Sequence, residues 1–171
     1  MRSFTPETED DVASIREVVI AAFGQTSEAQ LVDAIRHSPH FIADLSIVAV
    51  EDGNVLGHIL FSPIVIQAEK RTVPALALAP LAVTPARQRE GIGSQLVQAG
   101  LSKCRELGHS IVVVLGHPYY YRRFGFQPAS QFGVQAPFPV PDEAFMVLEL
   151  QPGALRNVTG TVRYPAYFDE V

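Results

Sequence analysis

Two glycines one residue apart, Gly91 and Gly93, follow Arg87 and Arg89 and stand where an apolar run meets a long helical pattern. A strand that turns through glycine into a helix gathers unpartnered backbone N–H groups at one point, and the helix dipole adds to their positive field. Such a point holds an anion, above all a phosphate. Glycine lets the phosphate approach the backbone where a Cβ would obstruct it. Arg87 and Arg89 add charge that could reach phosphate oxygens. Three phosphate-binding patterns compete for the stretch. The dinucleotide fingerprint GxGxxG fails at Leu96, which occupies the third glycine position. A P-loop needs GxxxxGK followed by Ser or Thr, and the chain has no such string. The third pattern, Q/R-x-x-G-x-G/A, is matched in full by Gln88-Arg89-Glu90-Gly91-Ile92-Gly93.

Few other residues offer chemistry by type and spacing. His37, His40, His58 and His109 are scattered without metal-ligand spacing, so no metal site is expected. Asp44 is a loop acid with no assigned role, and no Gly-x-Ser-x-Gly elbow occurs. Cys104, the only cysteine, falls in the middle of an apolar helical face and reads as core rather than as a nucleophile. Three consecutive tyrosines open "YYYRRFGF"; for Tyr119 and Tyr120 the expectation is packing with a satisfied hydroxyl.

The elements that must position these residues follow from periodicity and punctuation. "RSFT" is a short edge strand. Thr8 or Asp10 caps a helix to about Phe23, with Val12, Ile15, Val18, Val19 and Ala22 at helical spacing. Ser27 caps a second helix over Glu28 to Arg36. The strands "SIVAVE" and "NVLGHILFSPIVI" flank Asp52-Gly53, a dipeptide that favours a tight hairpin. "VPALALAPLAV" is a buried strand in which Pro80 cannot donate a ladder hydrogen bond, so pairing should break or bulge there. Gly91 to Leu107 is a helix whose buried face carries Leu96, Val97, Gly100, Cys104 and Leu107. "SIVVVLG" is an uninterrupted apolar run, as in a central strand covered on both faces. A short helix at "PYYYRRFG", strands at "FQPAS" and "AFMVLEL", and an extended tail from Pro152 complete the order β-α-α-β-β-β-α-β-α-β-β.

At 171 residues the chain has the size of one domain with a substantial core. Hydrophobic residues make up 47% and charged ones 18%, the balance of a folded rather than a disordered chain. A net charge of −5 with no basic run longer than two residues lacks a nucleic-acid footprint. No apolar run reaches the roughly 20 residues of a membrane helix. The acidic "MRSFTPETEDDV" lacks the apolar centre of a secretory leader, and with a single cysteine the expected compartment is the cytoplasm.

The stretch "PLAVTPARQREGIGSQLV" resembles the acetyl-CoA motif of the GNAT N-acetyltransferases, and "YYYRRFGF" resembles their second signature. "HILFSP", "LAPLAV" and "LGHPYYYRRFGF" are similar to the bacterial YhbS-like branch. The resemblance implies an α/β (α+β) GNAT fold over residues 1–151, with 152–171 as a C-terminal extension packed on the same domain. It implies a mixed, mostly antiparallel sheet with helices on both faces. Acetyl-CoA would lie in a V-shaped splay between strands 4 and 5, which end at Val83 and Leu115. The resemblance assigns backbone of Leu81, Ala82 and Val83 to the pantetheine arm. It gives the pyrophosphate to the amides of Arg89, Glu90, Gly91, Ile92, Gly93 and Ser94, with Gln88, the first residue of the motif, also in the cofactor site. Tyr121, ahead of the Gly125-Phe126 pair, takes the place of the tyrosine beside the sulfur and is a candidate general acid. Glu28 and His117 are candidates for the base. The implied activity is acetyl transfer to a primary amine without a metal or a covalent intermediate; a non-catalytic acyl-CoA-binding module is the alternative. Polyamine, aminoglycoside, amino acid and protein acceptors all stay open, as does oligomeric state.

Overall fold

Asp52 and Gly53 both take left-handed backbone, with φ of 52° and 79°, as a two-residue hairpin turn requires. In the computed structural model, which describes residues 1–170, this turn folds β2 (Ser46–Glu51) onto β3 (Asn54–Ala68). The ladder is antiparallel and bulges between Ala49 and Val50. β1 (Arg2–Pro6) pairs antiparallel with β2, placing Arg2 opposite Glu51. The Thr8 N–H bonds Asp11 Oδ2 at 2.8 Å over one 3-10 turn, and α1 (Val12–Phe23) continues from it. α2 (Ser27–Arg36) starts one residue before the predicted position, with Thr26 rather than Ser27 at the cap. Beyond β3 come β4 (Thr72–Val83), α3 (Ile92–Glu106), β5 (Ile111–Leu115) and α4 (Pro118–Arg122). The remaining strands are β6 (Gln127–Pro128), β7 (Val134–Gln135), β8 (Phe145–Glu149) and β9 (Gly160–Arg163).

The chain divides into two units. The first holds Met1–Ser62, Ala79–Lys103 and the residues from Ala166. On one face of its strands, Ile15, Val18 and Val19 of α1 and Leu31, Val32 and Ile35 of α2 pack with Val48, Leu60 and Ala82. Phe61, adjacent to Leu60 and therefore on the opposite face, meets α3. There the approach is close: a Cβ on Gly57 would stand 2.9 Å from both Ala82 O and Leu96 Cδ1, and one on Gly100 would run into the Phe61 ring. Helices thus cover both faces of this part of the sheet. Gly100→Ala is expected to destabilise the protein by about 1–3 kcal/mol through overpacking. Because Phe61 is the obstacle, adding Phe61→Leu should return part of the loss in a thermal melt. A Gly100→Ala protein that melts with the wild type would show that α3 shifts freely.

The first unit also buries a polar group. Arg36 donates to both Glu7 oxygens, at 2.9 and 3.0 Å. Ser46 Oγ donates to Glu7 Oε1 and lies 2.8 Å from His58 Nε2. Burial, and then the Arg36 charge, push His58 down to about 3, so its ring is neutral at pH 7.

The second unit holds Pro63–Leu78 and Cys104–Pro165. β8 pairs antiparallel with β5 from Ile111–Glu149 to Leu115–Phe145, and β6 pairs with β8. β4 runs parallel to β5, registered at Leu76–Val112 and Ala77–Val113. Both strands continue past this ladder, to Val83 and Leu115, so pairing stops short of Pro80 as its missing N–H predicts. The sheet is therefore mixed, in the predicted order through β5. Two expectations need correction. Leu107 is 41% exposed rather than core, because α3 ends at Glu106 and Gly108, at φ 87°, turns the chain away. The strand at "FQPAS" is only Gln127–Pro128, since a 3-10 turn takes over at Ala129. The tail contains β9, which pairs with β3 from Val65–Arg163 to Ala68–Gly160 and runs parallel to β7.

Candidate active site

The turn between β4 and α3 is built by backbone conformations that few residues adopt. A 3-10 turn over Pro85–Arg87 leaves β4, Arg89 then takes φ 67° and Gly91 φ 84°, and α3 opens at Ile92. The first helical bond runs from Gln95 N to Gly91 O at 3.0 Å. A Cβ at Gly91 would meet nothing within 4 Å, so space is open above the turn. Gln88 ties the turn back to the strand, its Nε2 donating to Val83 O at 3.1 Å. Thr84 N bonds Leu56 O at 2.8 Å and fixes the end of β4 on β3. Ala82 is buried against α1 and α2, while its neighbours Leu81 and Val83 are half-buried. Ile92 is buried, so it anchors the helix start while Gln88, Arg89, Glu90 and Gly91 stay exposed. Gly93 and Ser94, both half-buried, complete the first turn of α3.

Arg87 is not available to a phosphate as its charge suggested. Its Nε lies 3.0 Å from each Glu90 oxygen, and its Nη2 lies 2.7 Å from Glu51 Oε2. These bonds raise the Arg87 guanidinium further and hold the Glu51 carboxyl below its usual range. Arg89 is exposed and has no side-chain partner among the described residues. Glu28 sits in the first turn of α2, half-buried, and accepts from Gln25 Nε2 at 3.0 and 3.2 Å.

In the second unit, His117 is exposed at the cap position of α4, where its carbonyl accepts the Tyr120 and Tyr121 N–H groups at 3.2 and 3.1 Å. Tyr121 turns inward. Its ring lies edge-to-face on Tyr120 at 5.0 Å and on Phe126 at 5.7 Å. A Cβ on Gly116 would stand 2.5 Å from Tyr121 Cε2, so only glycine admits the ring at this distance. Burial, with a smaller contribution from Tyr120, raises the Tyr121 phenol well above its ordinary value. Tyr119 does not pack as expected: it is 81% exposed, with the Arg122 guanidinium 5.6 Å from its ring centre. On a one-and-a-half-turn helix three successive residues cannot share a face, and Tyr121 takes the inner one. Cys104 is fully buried, and desolvation pushes its thiol up to about 12. Among the described residues no group of three or more His, Cys, Asp or Glu side chains is placed to hold a metal ion. No helix among them is long and apolar enough to cross a membrane.

A strand, a glycine turn, a helix and a second parallel strand follow one another here, a βαβ unit whose helix start can hold an anion. Residues 3–129 match the family model of the acetyltransferase (GNAT) domain. The chain is 37% identical to the uncharacterised N-acetyltransferase YjhQ of Escherichia coli over 156 residues, covering 90% of this chain and 86% of that one. It is 36% identical to YhbS of the same organism over 160 residues, 93% of each chain. The crystal structure of Escherichia coli YhbS with CoA superposes with a TM-score of 0.90 at 32% identity, over 98% of this chain and 92% of that one. A GNAT acetyltransferase from Brucella melitensis, solved with acetyl-CoA, gives 0.80 at 38% identity over 99% of each chain. The chain belongs to the GNAT acetyltransferase family, as its motifs led us to expect.

Proposed function

We propose that the chain transfers an acetyl group from acetyl-CoA to a primary amine by direct attack within a ternary complex. The observation that carries this reading is the Arg89–Gly91 turn, left-handed at both ends and open above Gly91, at the head of α3. Two relatives of matching fold, solved with CoA and acetyl-CoA, support it. In this reading amides of Arg89 to Ser94 take the pyrophosphate, and backbone of Leu81 and Val83, with Ala82 between them, takes the pantetheine arm and the thioester carbonyl. The amine attacks the thioester carbonyl, and a strand amide near Leu81 stabilises the oxyanion. As the carbon–sulfur bond breaks, the Tyr121 hydroxyl donates to the departing sulfur. A thiol titrates near 8.5 and a phenol near 10, and Tyr121 is raised further. It therefore holds its proton at neutral pH and assists by a hydrogen bond that strengthens as charge reaches sulfur. Glu28 and His117 are the groups we carry forward as acceptors of the amine proton. We read residues 1–151 as the catalytic domain and 152–171 as its extension, supported by the pairing of β9 with β3, and we place the activity in the cytoplasm.

The test is CoA release from acetyl-CoA against a panel of polyamines, aminoglycosides, amino acids and peptides. Turnover with one class identifies the acceptor. Binding of acetyl-CoA with no turnover on any class would leave a binding module instead. Direct transfer also predicts the behaviour of Cys104→Ala. Turnover should stay within about twofold while stability falls by about 1 kcal/mol from lost packing. Complete loss of activity in a folded Cys104→Ala protein would demand an acyl-enzyme.

A further inference from the structure

Arg87 belongs to a lattice of four charges, two of each sign. Arg2, on β1, is the fourth member and closes the other two sides: its Nε lies 3.4 Å from Glu51 Oε1 and its Nη2 3.8 Å from Glu90 Oε1. Its Nη1 donates to Gln95 Oε1 at 2.9 Å. The lattice thereby joins β1, the end of β2, the turn and the first turns of α3, all within the first unit. The side chains of Arg2, Glu51 and Arg87 are 22%, 23% and 31% exposed and that of Glu90 40%, so the network lies at the surface with three of its four members half-buried.

The turn needs such a brace. Arg89 carries a Cβ and yet sits at φ 67°, a conformation that side-chain-bearing residues disfavour. The Arg87–Glu90 pair closes across Arg89, and Glu51 and Arg2 fix that pair to the sheet. A direct role for Arg87 in binding phosphate fits poorly, since two carboxylates beside it would repel the anion.

We propose that Arg2, Glu51, Arg87 and Glu90 are positioning residues whose side chains hold the Arg89–Gly91 turn in its anion-binding shape without touching the cofactor. This rests on the reading of the turn as the acyl-CoA site. Losing one member lets the turn relax, and apparent affinity then falls by the fraction of molecules that stay competent.

The decisive variants are Arg87→Gln and Glu51→Gln, with acetyl-CoA affinity measured by calorimetry. Positioning predicts that both raise Kd, each by about tenfold, while the thermal midpoint of the free protein changes little. Amide exchange at residues 89–94 should accelerate in both. A direct phosphate role predicts opposite signs, because Glu51→Gln would free Arg87 and remove a repulsive charge. Tighter or unchanged binding in Glu51→Gln alongside weaker binding in Arg87→Gln overturns the proposal. So does wild-type affinity in both variants. A wild-type protein that binds no acetyl-CoA removes the cofactor reading itself, and the proposal with it.

Discussion

Gly91→Val is expected to abolish the thermal stabilisation that acetyl-CoA confers on the wild-type protein. A ligand that binds only the folded state at a hundred times its Kd adds about 2.7 kcal/mol. For a chain of this length that is a rise of roughly 5–10 °C in the midpoint. Two effects act against binding in the variant. Its side chain would enter the open space above the turn, where nothing now lies within 4 Å and where the proposed site would take the phosphate. Its backbone would also be strained, since a β-branched residue resists φ 84°. Gly108 separates the two effects. It stands just past α3 at φ 87°, and a Cβ there would again meet nothing within 4 Å. Gly108→Val should therefore lose a similar amount of intrinsic stability, about 1–3 kcal/mol, and still gain the full shift from acetyl-CoA. A Gly91→Val protein that is stabilised as strongly as Gly108→Val would remove the turn from the cofactor site.

The parts of this site that the sequence discloses are the local ones. Gly91 marks the turn because its φ of 84° is one that glycine favours, and the helix pattern begins at once. The inward Tyr121 is legible through its distance from the Gly125-Phe126 pair, but the outward Tyr119 is not distinguished from it by type. Arg89 gives no warning of its left-handed conformation, since arginine seldom adopts one. Arg87 misleads for a different reason. Its partner Glu51 lies 36 residues away, and only the hairpin of β2 and β3 brings that carboxylate to the turn. A charge read without its long-range partner looks available for a ligand. The same limit applies to β7 and β9, of two and four residues, whose pairing is set by tertiary contact rather than by an apolar period. Gly57 and Gly100 offer a further case: each looks like a weakness in its element, and each exists because α3 and β3 approach so closely.

Tyr121→Phe is expected to lower kcat by on the order of ten- to a hundredfold while leaving acetyl-CoA affinity nearly unchanged. The substitution keeps the ring, and the ring is what packs on Tyr120, Phe126 and Gly116. Only the hydroxyl is lost. A donor to sulfur acts mainly as negative charge develops there, so its removal appears in the chemical step rather than in ground-state binding. The low end of general-acid magnitudes applies because a thiolate is already a fair leaving group near neutral pH. The sign of the pH dependence follows from burial. Desolvation raises the phenol above its ordinary value of 10, so the hydroxyl stays protonated through pH 7 to 10. The ratio of wild-type to variant kcat should then be flat across that range. An unraised phenol would be half ionised at pH 10, and the ratio would fall there by about twofold. Tyr119→Phe is the control, since that residue is exposed, and its kcat should match the wild type. The measurement is CoA release at saturating acetyl-CoA with whichever amine the panel identifies. Equal kcat in wild type and Tyr121→Phe would take the tyrosine out of the mechanism and leave the thiolate to depart without that hydrogen bond.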